Sequence, residues 1–336
     1  MTLVSIVIPT FNGAADLPAV LQKIKEQQTS HQIELCIIDS GSTDETLKII
    51  KSFSQDLKIK VINIKQKEFN HGASRNKAIE NSNGEFIALL TQDAIPFNQY
   101  WLENLVRPLE NDSKVAGVFG RHMPRENCNP IERQNLMGFF NSFGFKTTEY
   151  QLTTNSGSGN PLDDIVLRKK DYDNNKYILA FFSDNNACIR RSVWEKIPYR
   201  KVKILGEDQF WAKDILLAGY KKVYSPHAIV VHSHNYSPLK SFQRWVDDLR
   251  FAKELHNYST PLSFWKIILL CFRTAKNNVN RLDLSEESKN KKEWVWYARK
   301  IGFARILSEY VAKKWKYVPT FLKPYFSMDE RHRRQI

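Results

Sequence analysis

Short apolar runs, each followed at once by a polar cluster, constrain the fold of this 336-residue chain more than any other feature. Residues 4–8, 35–38 and 86–90 read as continuous rather than alternating apolar runs. That is the pattern of strands buried on both faces of a parallel sheet. Between them lie stretches of helical length at 17–28 (with Asp16 as cap), 45–53 (entered through Ser42-Thr43-Asp44) and 73–81. Ser, Thr and Asp ahead of a helix satisfy its free N–H groups, and acids in the first turn suit its dipole. With a further strand at 58–64, the first 110 residues spell βαβαβαβ, which predicts a doubly wound, mostly parallel α/β sheet.

Ligands of open α/β sheets gather beyond the carboxyl ends of the strands. Four clusters are therefore expected to line one cleft: Asp39-Ser40-Gly41-Ser42, His71-Gly72-Ala73-Ser74-Arg75-Asn76, Gln92-Asp93, and Glu207-Asp208 with His232 beyond. Carboxylates, an arginine and histidines together suit a metal-bound diphosphate. Asp93 ends an apolar strand, where a carboxylate can hold Mg2+ or Mn2+ against two phosphate oxygens; the competing reading is a turn aspartate. Gly72 permits close backbone approach and Arg75 projects from the first turn of the next helix toward a phosphate. The competing reading is an ordinary loop-to-helix junction. Asp208 opens a helix, where the dipole alone favours an acid, or it is a base that takes a proton from an attacking hydroxyl. His232, just past another strand, offers a ring nitrogen to the metal, with His234 as the alternative.

Residues 120–180 are less regular, and 153–161 and 171–175 have the composition of loops. Helices are expected at 191–196 and 208–218 and strands at 222–224 and 228–231, before the pattern turns helical and basic beyond Tyr236. The organisation read from this is a catalytic domain at 1–235, divided near 110, and a helical extension at 236–336.

A hydrophobic content of 42% with 12% aromatics excludes a disordered chain. Cys36, Cys128, Cys188 and Cys271 form no CxxC pair, which excludes a zinc-ribbon or disulfide scaffold. The N-terminus runs straight into a strand, and no stretch reaches the roughly 18 apolar residues of a spanning helix. These features predict a cytoplasmic protein, lying at most on the inner face of a membrane. From residue 240 onward there are 21 Lys and Arg against 10 Asp and Glu, most of the formal +14, together with five of the eight Trp. Such a tail suits an anionic membrane surface or, equally, a helical cap with a solvated basic face. A nucleic-acid-binding protein would also be basic and aromatic, but it leaves Asp39, Asp93 and Asp208 unexplained, so nucleic acid is not an expected partner.

Ser5-Ile6-Val7-Ile8-Pro9-Thr10-Phe11-Asn12, Ile38-Asp39-Ser40-Gly41-Ser42-Thr43-Asp44, the His71 cluster and Glu207-Asp208 closely resemble family 2 glycosyltransferases in order and identity. The resemblance covers roughly residues 3–235 and implies a GT-A fold that binds a nucleotide-sugar in one half and an acceptor in the other. It implies that Pro9, Thr10, Asn12, Asp39, Ser42, His71, Gly72, Arg75 and Gln92 serve the nucleotide-sugar, with Arg75 on the diphosphate. Asp93 and His232 would bind the divalent cation, Glu207 would lie on the acceptor side, and Asp208 would be the catalytic base of an inverting transfer. Where most of the family has D-x-D or a D-D pair, this chain has Thr91-Gln92-Asp93, in which Gln92 can coordinate a metal only weakly through its carbonyl oxygen. That variant, with Phe69-Asn70-His71-Gly72, is similar to the rhamnosyltransferase branch, which implies a dTDP-L-rhamnose donor and a cell-surface polysaccharide acceptor of the lipid-linked kind. A UDP-hexose donor is the alternative. Gln243-Arg244-Trp245 lacks the spacing of the processive Q-x-x-R-W signature, which points to transfer of single sugars.

Overall fold

The computed structural model describes residues 1–152, 161–258, 264–282 and 291–335. The predicted alternation is present in β1 (Leu3–Thr10), α1 (Leu17–Lys25), β2 (Gln32–Asp39), α2 (Thr46–Phe53), β3 (Ile59–Asn63), α3 (His71–Glu80) and β4 (Phe86–Leu90). β1 pairs in parallel with β2 and β4, and β2 with β3. Val4, Ile6, Ile8, Leu35 and Ile37 pack with Leu17, Val20, Leu21 and Ile24 of α1. On the other face the Cys36 thiol donates to the carbonyl of Ala78 in α3 (3.2 Å). Helices cover both faces, which is why the runs do not alternate. Each such buried aliphatic side chain contributes about 1.5–3 kcal/mol.

Then follow β5 (Ile95–Pro96), α4 (Trp101–Asn111), β6 (Val115–Met123), α5 (Pro130–Asn141), β7 (Thr148–Tyr150), α6 (Pro161–Ala180), β8 (Asn186–Arg190), α7 (Arg191–Trp194), α8 (Glu207–Leu217) and β9 (Lys221–Val231). The sheet order is β3-β2-β1-β4-β8-β6-β9-β5, with β7 on β9. β8 runs antiparallel to both β4 and β6, so the sheet is mixed and mostly parallel, as expected. Two expectations need correction. The two strands expected at 222–224 and 228–231 are one, β9, whose register against β6 slips between Gly120–Ser225 and Arg121–Ile229. The loop expected at 171–175 lies inside α6, which kinks at Asn175 (φ −125°); Tyr172 is buried there, so packing overrides the turn composition. The loop expected at 153–161 lies outside the described residues, apart from Pro161.

α3 also starts earlier than expected. Asn70 is its N-cap and accepts a hydrogen bond from the Ala73 N–H (3.1 Å), so His71 and Gly72 form its first turn.

By internal contacts the chain divides into two units: 1–123 with 138–202 and 206–232, and 124–137 with 203–205 and 233–336. The second contains α9 (Pro238–His256), α10 (Phe264–Arg281), α11 (Lys291–Lys313), α12 (Lys323–Phe326) and α13 (Met328–Gln335). α10 and α11 pack closely enough that a Cβ on Gly302 would lie 2.6 Å from the Ala275 Cα. The buried Asp247 of α9 caps α13, accepting from Ser327 Oγ (2.6 Å), Met328 N (2.9 Å) and Asp329 N (3.1 Å). Among the described residues no helix is long and apolar enough to cross a membrane.

Candidate active site

Three groups of polar side chains stand at one edge of the first unit's sheet. The first shapes the loops after β1 and β2. Asp39 is 1% exposed, and both its oxygens are taken up locally. Oδ1 accepts from the N–H groups of Gly41 (3.0 Å) and Ser42 (2.9 Å), and Oδ2 from the hydroxyls of Ser42 (2.5 Å) and Thr10 (3.3 Å). Gly41 adopts φ +91°, open to glycine at little cost. Ser42 Oγ in turn accepts from Asn12 N (2.8 Å), and Asn12 Oδ1 accepts from Thr43 N (2.8 Å). Pro9 is partly buried in β1. Gln92 accepts from Phe11 N (2.9 Å) and donates to Phe11 O (3.1 Å). An ionised carboxylate could not do both, since it has no donor. This gives the Gln92 amide a use at the position where the family's D-D pair would put an acid.

The second group is Asp93 and His232, from the ends of β4 and β9. Asp93 Oδ2 lies 3.5 Å from His232 Nε2. One carboxylate oxygen and one imidazole nitrogen at this separation fit a shared divalent ion such as Mn2+. The other imidazole, His234, stacks on Tyr236 (5.0 Å between centroids). Behind His232 stands His122, edge-on at 5.5 Å and stacked on Phe140 at 4.8 Å. Burial first, and the neighbouring His232 second, push its pKa well below the usual histidine value. Ser183 Oγ is 3.5 Å from His122 Nε2.

The third group is a buried charge cluster. Arg75 Nη1 is ion-paired with Glu207 Oε1, and Arg75 Nε lies 3.3 Å from Asp184 Oδ2. The Tyr199 hydroxyl donates to Asp184 Oδ1 (2.9 Å), and the Asp184 N–H donates to Asp208 Oδ2 (3.3 Å). Asp208 Oδ1 accepts from Gln209 N (2.8 Å). Burial raises the Asp208 pKa well above the aspartate norm, and the negative charges of Glu207 and Asp184 add to it. Asp184 is pushed up to about 7, again first by burial. For Arg75, burial opposes the charge, but Glu207 and Asp184 outweigh it and hold its pKa above the usual value.

Asp39 and Arg75 are both buried and engaged by protein partners, and Arg75 offsets the charge of two acids. Gly72 is closely packed as well. A Cβ there would run into the Arg200 carbonyl oxygen and meet Glu207 Cβ at 3.4 Å, so its close approach is to the protein's own backbone. Asn70 Nδ2 donates to Val202 O (2.7 Å) and Asn76 Nδ2 to Tyr199 O (2.8 Å). α3 thus straps down the backbone leading to the acids of α8. His71 is exposed, edge-on to Phe69 at 5.0 Å. At the start of α8, Gly206 takes φ +92°, a turn that aims Glu207 and Asp208 inward.

The sheet brings these groups together. Leu90 pairs with Asn186 in the antiparallel β4–β8 ladder, so the exit of β4 and the entry of β8 share an edge. Asp93 lies just past the first and Asp184 just before the second, and Asp184 touches Asp208. Sequence reading missed Asp184, Tyr199 and His122. The signal for Asp184 was present: Ser183-Asp184-Asn185-Asn186 is a polar cluster between apolar runs at 178–182 and 187–189.

This sheet is that of GT-A glycosyltransferases. A mannosyltransferase from Pyrobaculum calidifontis, solved with GDP-Man and Mn2+, superposes with TM-score 0.56 at 17% identity, covering 93% of this chain and 87% of that one. Staphylococcus aureus TarS 1–349 with UDP-GlcNAc gives TM-score 0.52 at 15% identity, over 95% and 93%. Residues 5–197 match Glycosyl transferase family 2, and the chain belongs to that family; it is a glycosyltransferase. It is 34% identical to the O-antigen chain rhamnosyltransferase RfbN of Salmonella typhimurium, over 97% of this chain and 94% of that protein. With WbaN of Salmonella anatum, another O-antigen chain rhamnosyltransferase, identity is 32% over 96% and 93%.

Proposed function

We propose that the protein transfers L-rhamnose from dTDP-L-rhamnose, with inversion, to a hydroxyl of a lipid-linked saccharide that becomes a cell-surface polysaccharide. The observation that carries the reading is the near-complete coverage shared with two O-antigen chain rhamnosyltransferases. Asp208, half-buried and raised in pKa, takes the proton of the acceptor hydroxyl, with Glu207 beside it on the acceptor side. The loops bearing Pro9, Thr10, Asn12, Ser42 and Gln92 receive the nucleotide, with Asp39 fixing their shape and His71 at the rim. Asp93 and His232 would hold Mn2+ or Mg2+, whose positive charge, when bound, offsets the negative charge on the diphosphate. Arg75 and Gly72 act from behind, holding the acids in place.

Nucleoside diphosphate release is measured with dTDP-L-rhamnose, UDP-glucose, UDP-galactose and GDP-mannose, with and without Mn2+, in the presence of extracted lipid-linked saccharides. dTDP-L-rhamnose is expected to lead by at least about tenfold, the discrimination a few polar contacts supply. Preference for a UDP-hexose would overturn the donor.

The acceptor's lipid would hold the enzyme at the inner face of the membrane, and α10 supports this. Trp265, Leu269 and Phe272 are 78%, 70% and 63% exposed at helical spacing, and the helix carries Lys266, Arg273, Lys276 and Arg281 with no acid. Such a face suits anionic lipid. The protein is expected to float with phosphatidylglycerol vesicles and not with phosphatidylcholine alone. The triple change W265S/L269S/F272S should weaken flotation by about tenfold or more. Native protein that floats with neither removes the membrane from the account.

A further inference from the structure

Asp184 reaches the buried cluster from the entry of β8, opposite the helix that carries Glu207 and Asp208. It is 1% exposed, and its contacts come from three sides: the Tyr199 hydroxyl, the Arg75 guanidinium and, through its own N–H, Asp208. Its Oδ2 receives no aligned hydrogen bond, only the charge of Arg75. Two carboxylates, Asp184 and Glu207, thus share one arginine away from water, with the half-buried Asp208 beside them. That arrangement opposes folding, because like charges at low dielectric repel and each acid loses hydration. Packing alone would be served by an asparagine or a leucine at no such cost.

The geometry gives the acid a use. Arg75 divides its guanidinium between Glu207 and Asp184, and among the described residues Asp208 is not one of its ion-pair partners. An aspartate bridged by that arginine would be a weak base, since a cation at contact stabilises the ionised form. Meanwhile the Asp184 N–H fixes Oδ2 of Asp208 while Gln209 N fixes Oδ1.

We propose that Asp184 is a positioning residue for the base: it holds Arg75 away from Asp208 and orients the Asp208 carboxylate through its own backbone. Tyr199 is the second member of the device, anchoring the Asp184 side chain. The inference rests on the reading of Asp208 as the base. The groups facing Asp184 are Arg75 from α3, Glu207 and Asp208 from α8, and Tyr199. Asp184 itself is pushed to about 7, and its negative charge keeps Asp208 protonated to higher pH. Removing that charge makes Asp208 easier to ionise, so the acid limb of activity should move to lower pH.

The test is nucleoside diphosphate release from the preferred donor by native protein, D184N and Y199F, with D208N as control, each followed across pH. D184N is expected to lower kcat by about 10–100-fold at little change in donor KM, with the acid limb displaced to lower pH by about one unit. Y199F, which keeps the carboxylate, should show a smaller fall of about three- to tenfold without loss of folded protein. If D184N fails to fold, Y199F alone decides: native kcat in a folded Y199F overturns the proposal. Native kcat and an unmoved limb in D184N do the same. A D208N protein that still turns over removes the base reading, and this inference with it; D184N behaving as native while D208N is inactive removes this inference alone.

Discussion

Asp208→Asn is expected to reduce sugar transfer by about 10³-fold, within the usual range for loss of a general base, while donor affinity stays within about twofold. Asparagine keeps the shape, and its carbonyl oxygen can still accept the Gln209 N–H, at the loss of the longer bond from the Asp184 N–H (3.3 Å). What it cannot do is accept a proton. The native enzyme should also lose activity on acidification at a pH above the ordinary carboxylate range. Burial, Glu207 and Asp184 all favour the protonated acid, so Asp208 becomes an active base only above its raised pKa. Steady-state kinetics beside calorimetric titration with the nucleoside diphosphate separate the two effects. Transfer by D208N at near-native rate would mean that another group is the base.

Asp93→Asn carries the second large effect. Asparagine preserves an oxygen near His232 but removes the charge that suits a hard divalent ion. Transfer is expected to fall about 10²–10³-fold, as when electrostatic support of a leaving group is lost, and Mn2+ should no longer strengthen nucleotide binding. Gln92→Asp gives a useful contrast. It would restore a second acid but break the paired hydrogen bonds to Phe11, so it should loosen the loop after β1 rather than improve metal binding. A D93N protein that responds to Mn2+ as the native one does would exclude Asp93 as a ligand.

The first half of the fold was legible because both faces of β1, β2 and β4 are buried, leaving continuous apolar runs that strands of this kind require. β6 and β8 were not. Gly117 and Gly120 break the pattern of β6 because no side chain fits there: a Cβ on Gly117 would lie 2.8 Å from the Trp211 ring, and one on Gly120 would meet the Ala228 carbonyl and the Asn186 amide. The residues of the candidate site were readable as polar clusters at strand exits, but not their pairings. Arg75 was readable as a cation at a loop-to-helix junction, but not its neutralising partner Glu207, 132 residues away. Gln92 looks like a lost metal ligand because its partner, the backbone of Phe11, is 81 residues earlier. Asp184 shared the signature of the other clusters, and only the turn from α6 into an antiparallel strand reveals which way it faces.

Whether Asp93, His232 and Asp208 serve one bound sugar nucleotide is tested most directly by a crystal of the protein with dTDP and Mn2+, read by the anomalous signal of manganese. The expected result is a single peak within coordinating reach of Asp93 and His232, with the diphosphate on it and the Asp208 carboxylate facing the sugar side. A peak remote from both residues, or a nucleotide whose diphosphate points away from Asp208, would contradict the account.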